Sequence, residues 1–169
     1  MGYDIDDPLC PAYSPFFGYF GVAIGVVLSC MGGAIGTAKC GVGLSSAALI
    51  NKGAIVRGLI APIMSGVIGI YGLVYSLVIL SSISNVGYSL PKAFSHLAGG
   101  ISVGFGGLAA GVTIGCAGQK GLPMFAKQPA LFVGLTLILV FGEVLAIYGM
   151  VVSFILNAKT FPCHPLPEE

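Results

Sequence analysis

The chain has 169 residues, only 8% of them charged, and its mean hydropathy is +1.01. Ordinary globular chains carry about 25% charged residues, so a water-facing surface cannot be assembled from this supply. A formal net charge of +1 also excludes electrostatic capture of nucleic acid as the main activity. The solvent for most of this surface is lipid.

Read from the N-terminus, MGYDIDDPLCP carries three aspartates and no basic residue. That is the wrong flank for a secretory signal peptide, and a Ser or Thr is missing where a myristoylation motif needs one. Uncharged runs then extend from Pro8 to Ala38, Gly58 to Pro91, Ala93 to Gln119 and, apart from Glu143, Gln128 to Ala158. About 20 apolar residues cross a ~30 Å hydrocarbon core as a helix. The runs therefore predict spans near 15–39, 57–83, 93–119 and 129–157. None shows the polar–apolar alternation of a barrel strand. The fold expected is an all-α membrane protein of four transmembrane helices, arranged as two repeated helical hairpins.

Lysine and arginine orient the spans. Lys39, Lys52, Arg57, Lys120 and Lys127 fall in the two odd loops, against Lys92 and Lys159 on the other side. The odd loops are expected in the cytoplasm and both termini in a lumen. The organisation is then a luminal tail (1–14), a first hairpin (15–83), a luminal loop (84–92), a second hairpin (93–157) and a luminal tail (158–169). The five cysteines form no metal pattern: Cys30, Cys40 and Cys116 read as small packing residues. Cys10 and Cys163 fall on one side and are able to pair, a step that sequence alone does not favour. His96, near the start of the third span, reads as an interfacial residue.

The second and fourth spans match at a displacement of 77: IYGLVYS, Ile70 to Ser76, lies over IYGMVVS, Ile147 to Ser153. Glu143 then falls over Gly66. The first and third spans match at 75 through small residues. Gly100, Gly104, Gly107, Gly111, Gly115 and Gly118 are spaced 4, 3, 4, 4, 3, and Gly25, Ser29, Gly32, Gly36, Cys40 and Gly43 repeat that spacing. The mean is one helical turn, so each set forms a stripe on one helix face. Glycine weakens a helix by roughly 1 kcal/mol relative to alanine; inside a bilayer its use is close backbone approach. The stripes suit a narrow inner wall of a ring, with the even helices outside.

Glu143 is the one charge between Gln128 and Ala158 and sits at the midpoint of that interval. A charged residue such as Asp costs roughly 2.5–3.5 kcal/mol at the membrane centre on insertion scales. A lone carboxyl there is held neutral in hydrocarbon and ionises where water or a cation reaches it. Those two states are what a proton carrier requires. Leu139, Val140, Ala146 and Ile147 surround it on the helix surface. A hard metal cation wants several oxygen ligands, so no metal and no cofactor is expected. Tyr71, on the neighbouring repeat, is a candidate hydrogen-bond partner. The bland alternative is a protonated acid that only bonds a neighbouring helix. No Walker-type loop follows a strand, so an engine for transport must lie in another subunit.

These residues are similar to a known family. YSPFFGYFG (Tyr13 to Gly21), GGAIGTAKCGVGL (Gly32 to Leu44), IYGLV at Ile70 and KQPALFVGLTLILVFGEVLAIYG (Lys127 to Gly149) resemble the c proteolipid of V-type proton-translocating ATPases over nearly the whole chain. The resemblance implies a homo- or hetero-oligomeric ring of proteolipid copies in the membrane of a vacuole or other acidic compartment. It implies that Glu143 takes up and releases a proton against an arginine-bearing a subunit. ATP hydrolysis elsewhere would turn the ring through the central stalk and its d subunit, with lipid around it. The chain departs from the family at GQKGLPMFA (Gly118 to Ala126), where a Gly-Asp segment and an arginine are usual. It departs again at Ala130, a common arginine, and at Gly142, often alanine, which is expected to give Glu143 more room. Sodium-carrying relatives add polar ligands, whereas Val67 is apolar here, which favours protons. The competing class is a small four-helix proton-coupled secondary transporter, which would want aromatic residues around the acid; the chain has no Trp.

Overall fold

In a computed structural model, which describes residues 9–84, 87–159 and 163, all regular structure among the described residues is helical. Five helices follow in order: α1 (Ser14–Ile50), α2 (Ala54–Gly58), α3 (Ile60–Ser82), α4 (Leu90–Lys127) and α5 (Leu131–Asn157). Among the described residues, four stretches are long and apolar enough to cross a membrane: α1, α2 with α3, α4, and α5. Pro15 and Pro91 sit in the first turns of α1 and α4, where a missing N–H leaves no intrahelical bond unmade.

Helix ends depart from the sequence expectation on one side of the bundle. α1 continues to Ile50 rather than stopping near 39, and α4 to Lys127 rather than 119. At 37 residues α1 is about 56 Å long, well beyond a ~30 Å hydrocarbon core. Lys39 and Lys120, taken as the ends of the uncharged runs, lie inside these helices, and helical geometry carries on past them. The turns that follow are short. Asn51 accepts the Gly53 N–H through its side-chain oxygen at 2.9 Å, and Gln128 to Ala130 join α4 to α5.

α1 and α4 run against each other along their glycine stripes. A methyl group on Gly36 would come within 2.6 Å of the Gly111 carbonyl oxygen, and one on Gly43 within 2.6 Å of the Gly118 carbonyl oxygen. One on Gly111 would overlap the backbone of Gly32, and one on Gly100 that of Gly21. Gly25 faces Gly100, Gly32 faces Gly107, and Gly115 lies on Gly36. Gly104 packs on Leu28, while Ser29 donates to the Val103 carbonyl at 3.3 Å. The stripes are therefore the two sides of one interface inside the protomer, and a side chain at Gly32, Gly36, Gly100 or Gly111 must push the helices apart.

That finding corrects the repeat. In the structure both helices of the second hairpin follow those of the first by 77 residues. Ser76 donates to the Val22 carbonyl at 3.4 Å, and Ser153 to the Gly99 carbonyl at 2.6 Å. Gly72 approaches the Gly25 carbonyl as Gly149 approaches that of Ser102. The displacement of 75 between the stripes pairs residues that face each other, not residues that hold the same place in their hairpins.

Cysteines also differ from expectation. Cys10 and Cys163 form a disulfide, with Cα atoms 6.2 Å apart, which closes the two chain ends onto one another. The segment before α1 also approaches the start of α4, where Leu90 N–H donates to the Leu9 carbonyl at 2.8 Å. Cys40 is buried, but Cys30 and Cys116 are exposed on the protomer. His96 is not at an interface with water. It is 1% exposed at the start of α4 and holds two helices and a loop together.

Candidate functional site: the carboxylate of α5

α5 carries no charge in its first or last turn, and Glu143 lies one residue from its middle. At 1.5 Å per residue the acid is about 18 Å from the nearer helix end. Its face of α5 turns inward: Leu139, Gly142, Glu143 and Ala146 are all buried, and the glutamate is 9% exposed. Val140, by contrast, faces outward.

One polar group meets the carboxylate. Tyr71 on α3 donates its hydroxyl hydrogen to Glu143 Oε1 at 2.7 Å. The bond crosses from the first hairpin to the second, so the site exists only because α3 packs against α5. Gly142 faces Ile114 and Thr113 of α4. A methyl group there would lie 3.1 Å from Ile114 of α4, so glycine is used for close helix approach. Leu139, Ile114, Ala110 and Ala146 belong to one buried apolar cluster, with Tyr71 and Ala117 packed against it. No group of three or more His, Cys, Asp or Glu side chains could hold a metal ion among the described residues.

A second polar cluster, at the far end of the bundle from Lys39 and Lys120, is not legible in the sequence. His96 Nδ1 is 2.6 Å from the Tyr88 hydroxyl, and its Nε2 is 2.8 Å from Asn157 Oδ1. Burial pushes the Tyr88 phenol above its usual range. Asn157 Oδ1 can only accept, so the Nε2–H donates to it, and in the neutral ring Nδ1 then accepts from the Tyr88 hydroxyl. Tyr75 adds a bond from its hydroxyl to the His96 carbonyl. The partners lie 8, 21 and 61 positions from His96. No periodicity connects them, so only the assembled fold reveals the cluster.

The sequence profile of the family of the ATP synthase C subunit matches residues 20–79 and again 97–156. Each end of the second match lies 77 residues after its counterpart, the displacement found in the structure. The chain is 46% identical to the 16 kDa proteolipid, the c form, of the V-type proton ATPase of Ascaris suum over 161 residues, 94% of this chain and all of the relative. It is 46% identical over 150 residues to the c' proteolipid of the V-type proton ATPase of Saccharomyces cerevisiae, covering 88% and 92% of the two chains. The c' proteolipid of Candida glabrata is 44% identical over 155 residues, 91% and 94%. The c and c' forms thus match equally well. With two copies of the family pattern and relatives matched over nearly their full length, the chain belongs to the family of the ATP synthase C subunit, among the proteolipids of V-type proton ATPases.

Proposed function

We propose that the chain is a proton-carrying component of a membrane rotor ring, and that Glu143 is the carrier. The observation that supports this most strongly is the placement of a lone carboxyl, 9% exposed, at mid-helix with a tyrosine hydroxyl as its polar partner. Tyr71 is a hydrogen-bond donor to the carboxylate oxygen and leaves the proton free to come and go. In this reading Glu143 is protonated while it faces lipid or a neighbouring copy. It gives up the proton where an arginine on an a subunit offers a compensating charge. ATP hydrolysis in partner subunits turns the ring through a central stalk that includes a d subunit, and the lumen is acidified.

The same reading puts both termini in the lumen of an acidic compartment. Two independent features support it: five of seven basic residues lie at the opposite end, and the Cys10–Cys163 disulfide belongs in an oxidising space rather than the cytosol. α1 and α4, which outrun the apolar layer, would carry their extensions toward the stalk. The test is ATP-driven acidification of vesicles bearing the complex, with wild type beside Glu143→Gln. An amide keeps a hydrogen bond to Tyr71 but carries no exchangeable acid, so pumping is expected to vanish while the complex still assembles.

A further inference from the structure

Five parts of the protomer meet at one histidine. His96, in the second turn of α4, bonds through its ring to Tyr88 of the preceding loop and to Asn157, the last residue of α5. Its carbonyl accepts from Tyr75 of α3 and packs on Gly21 of α1. The Tyr88 hydroxyl in turn rests on Gly18 of α1, where a methyl group would meet it at 2.5 Å. His96 is 1% exposed and Tyr88 4%. The cluster ties the end of the helix that carries Glu143 to the rest of the bundle, and proton carriage itself makes no use of it.

Its hydrogen bonds fit a neutral ring. Asn157 Oδ1 takes the one ring N–H, and Nδ1 takes the hydrogen of Tyr88. A second ring proton would sit on Nδ1 and point at that same hydrogen. The phenol would then have to turn, in a place where it is packed against Gly18.

The added charge would also lack a counter-charge. The titratable groups facing the ring are Tyr88 from the loop and Tyr75 from α3, with Tyr19 of α1 near Tyr88. On α4, Lys92 stands four positions before His96, on the same helix face, and repels a charge on it. α5 contributes the uncharged Asn157, followed by the exposed Lys159. Among the described residues the one carboxylate is Glu143, about 21 Å along α5 from Asn157. A buried charge without a partner is costly, and the structure relieves that cost by opening.

We propose that Tyr88, His96 and Asn157 form a pH-sensitive clasp, closed on the neutral ring and released when His96 takes up a proton from an acid lumen. The sign follows from proton counting. The open form binds a proton in the ordinary histidine range, near about pH 6.5, and the closed form binds none. Closure is therefore complete above that pH, and below it the closed-to-open ratio falls by up to about tenfold per pH unit. Release frees the luminal end of α5, so acid in the lumen slows the pump that makes it. The inference rests on the rotor reading and luminal termini proposed above, and adds a limit to them.

The test is the initial rate of ATP-driven pumping by the whole complex in vesicles. Their lumen is pre-set with buffer at about pH 7.5 or about pH 5.5, on either side of the histidine range. His96→Gln keeps an amide donor and an acceptor but takes no proton. The back-pressure of the gradient acts on both proteins alike, so the ratio of variant to wild-type rate isolates the histidine. That ratio is expected to be near one at the higher pH and at least about threefold at the lower. Asn157→Asp keeps the histidine and places a carboxylate against Nε2, so it is expected to remove the acid sensitivity by the opposite route. This second variant guards against a glutamine that merely disturbs the packing. Ratios that are the same at both pH values in both variants would overturn the clasp. Slowing that follows the pH outside the vesicles instead of the lumen would overturn its luminal placement. Glu143→Gln, measured alongside, separates these results from failure of the rotor reading, which pumping by that variant would overturn.

Discussion

The two hairpins share a backbone frame, and within the spans only one of them carries an acid: Glu143 stands where the first hairpin has Gly66. Both α3 and α5 anchor a serine to the preceding turn at 2.8 Å, Ser76 to Gly72 and Ser153 to Gly149, and both cross to the first helix of their own hairpin, α1 and α4, at the same place. The first hairpin forms without an acid, so the acid is not what the hairpin needs to fold. What differs is the neighbour: Glu143 meets Tyr71 of the first hairpin, while Gly66 opens on an unfilled groove. A buried carboxyl that the architecture does not require is best explained by chemistry.

The comparison can be broken most severely at the helix interface that both hairpins share. Gly111→Leu would drive a side chain into the Gly32 backbone. A loss of more than about 3 kcal/mol is expected, seen as failure to recover folded protein or complex on a native gel. Gly134→Leu, where nothing lies within 4 Å, is expected to leave the protomer intact. Exchanging the two positions, Gly66→Glu with Glu143→Gly, sharpens the comparison. Because the frames coincide, acidification in vesicles is expected to recover part of what Glu143→Gly alone abolishes. No recovery would show that the flanks of the two hairpins are not interchangeable.

Smaller effects follow at the chain ends and at the acid's partner. Cys10→Ser removes the disulfide and is expected to cost about 2–4 kcal/mol, read as a lower unfolding temperature in detergent under non-reducing conditions. Reduction of the wild type should reproduce it. Tyr71→Phe deletes one hydrogen bond, worth about 1 kcal/mol. The expected fall in pumping rate is less than tenfold, which separates a positioning role from that of the acid.

Much of this is legible in the sequence because it is local. Run length and missing charge predict four apolar helices, and a single acid in the otherwise uncharged interval from Gln128 to Ala158 cannot be overlooked. Three things are not local. Lys39 and Lys120 end the uncharged runs but not the helices, since helical geometry does not stop at a charge. The stripes match at 75 because contact across an interface selects for small residues on both sides, whatever the repeat. The Cys10–Cys163 bond and the Tyr88–His96–Asn157 cluster join residues whose approach is fixed only by the complete bundle.

The central claim is that Glu143 carries the proton. ATP-driven acidification by Glu143→Gln complexes, with assembly checked on a native gel, tests it most directly. The expected result is no acidification by a complex that assembles normally and keeps its partner subunits. Acidification at the wild-type rate would contradict the account and return Glu143 to a packing role beside Tyr71.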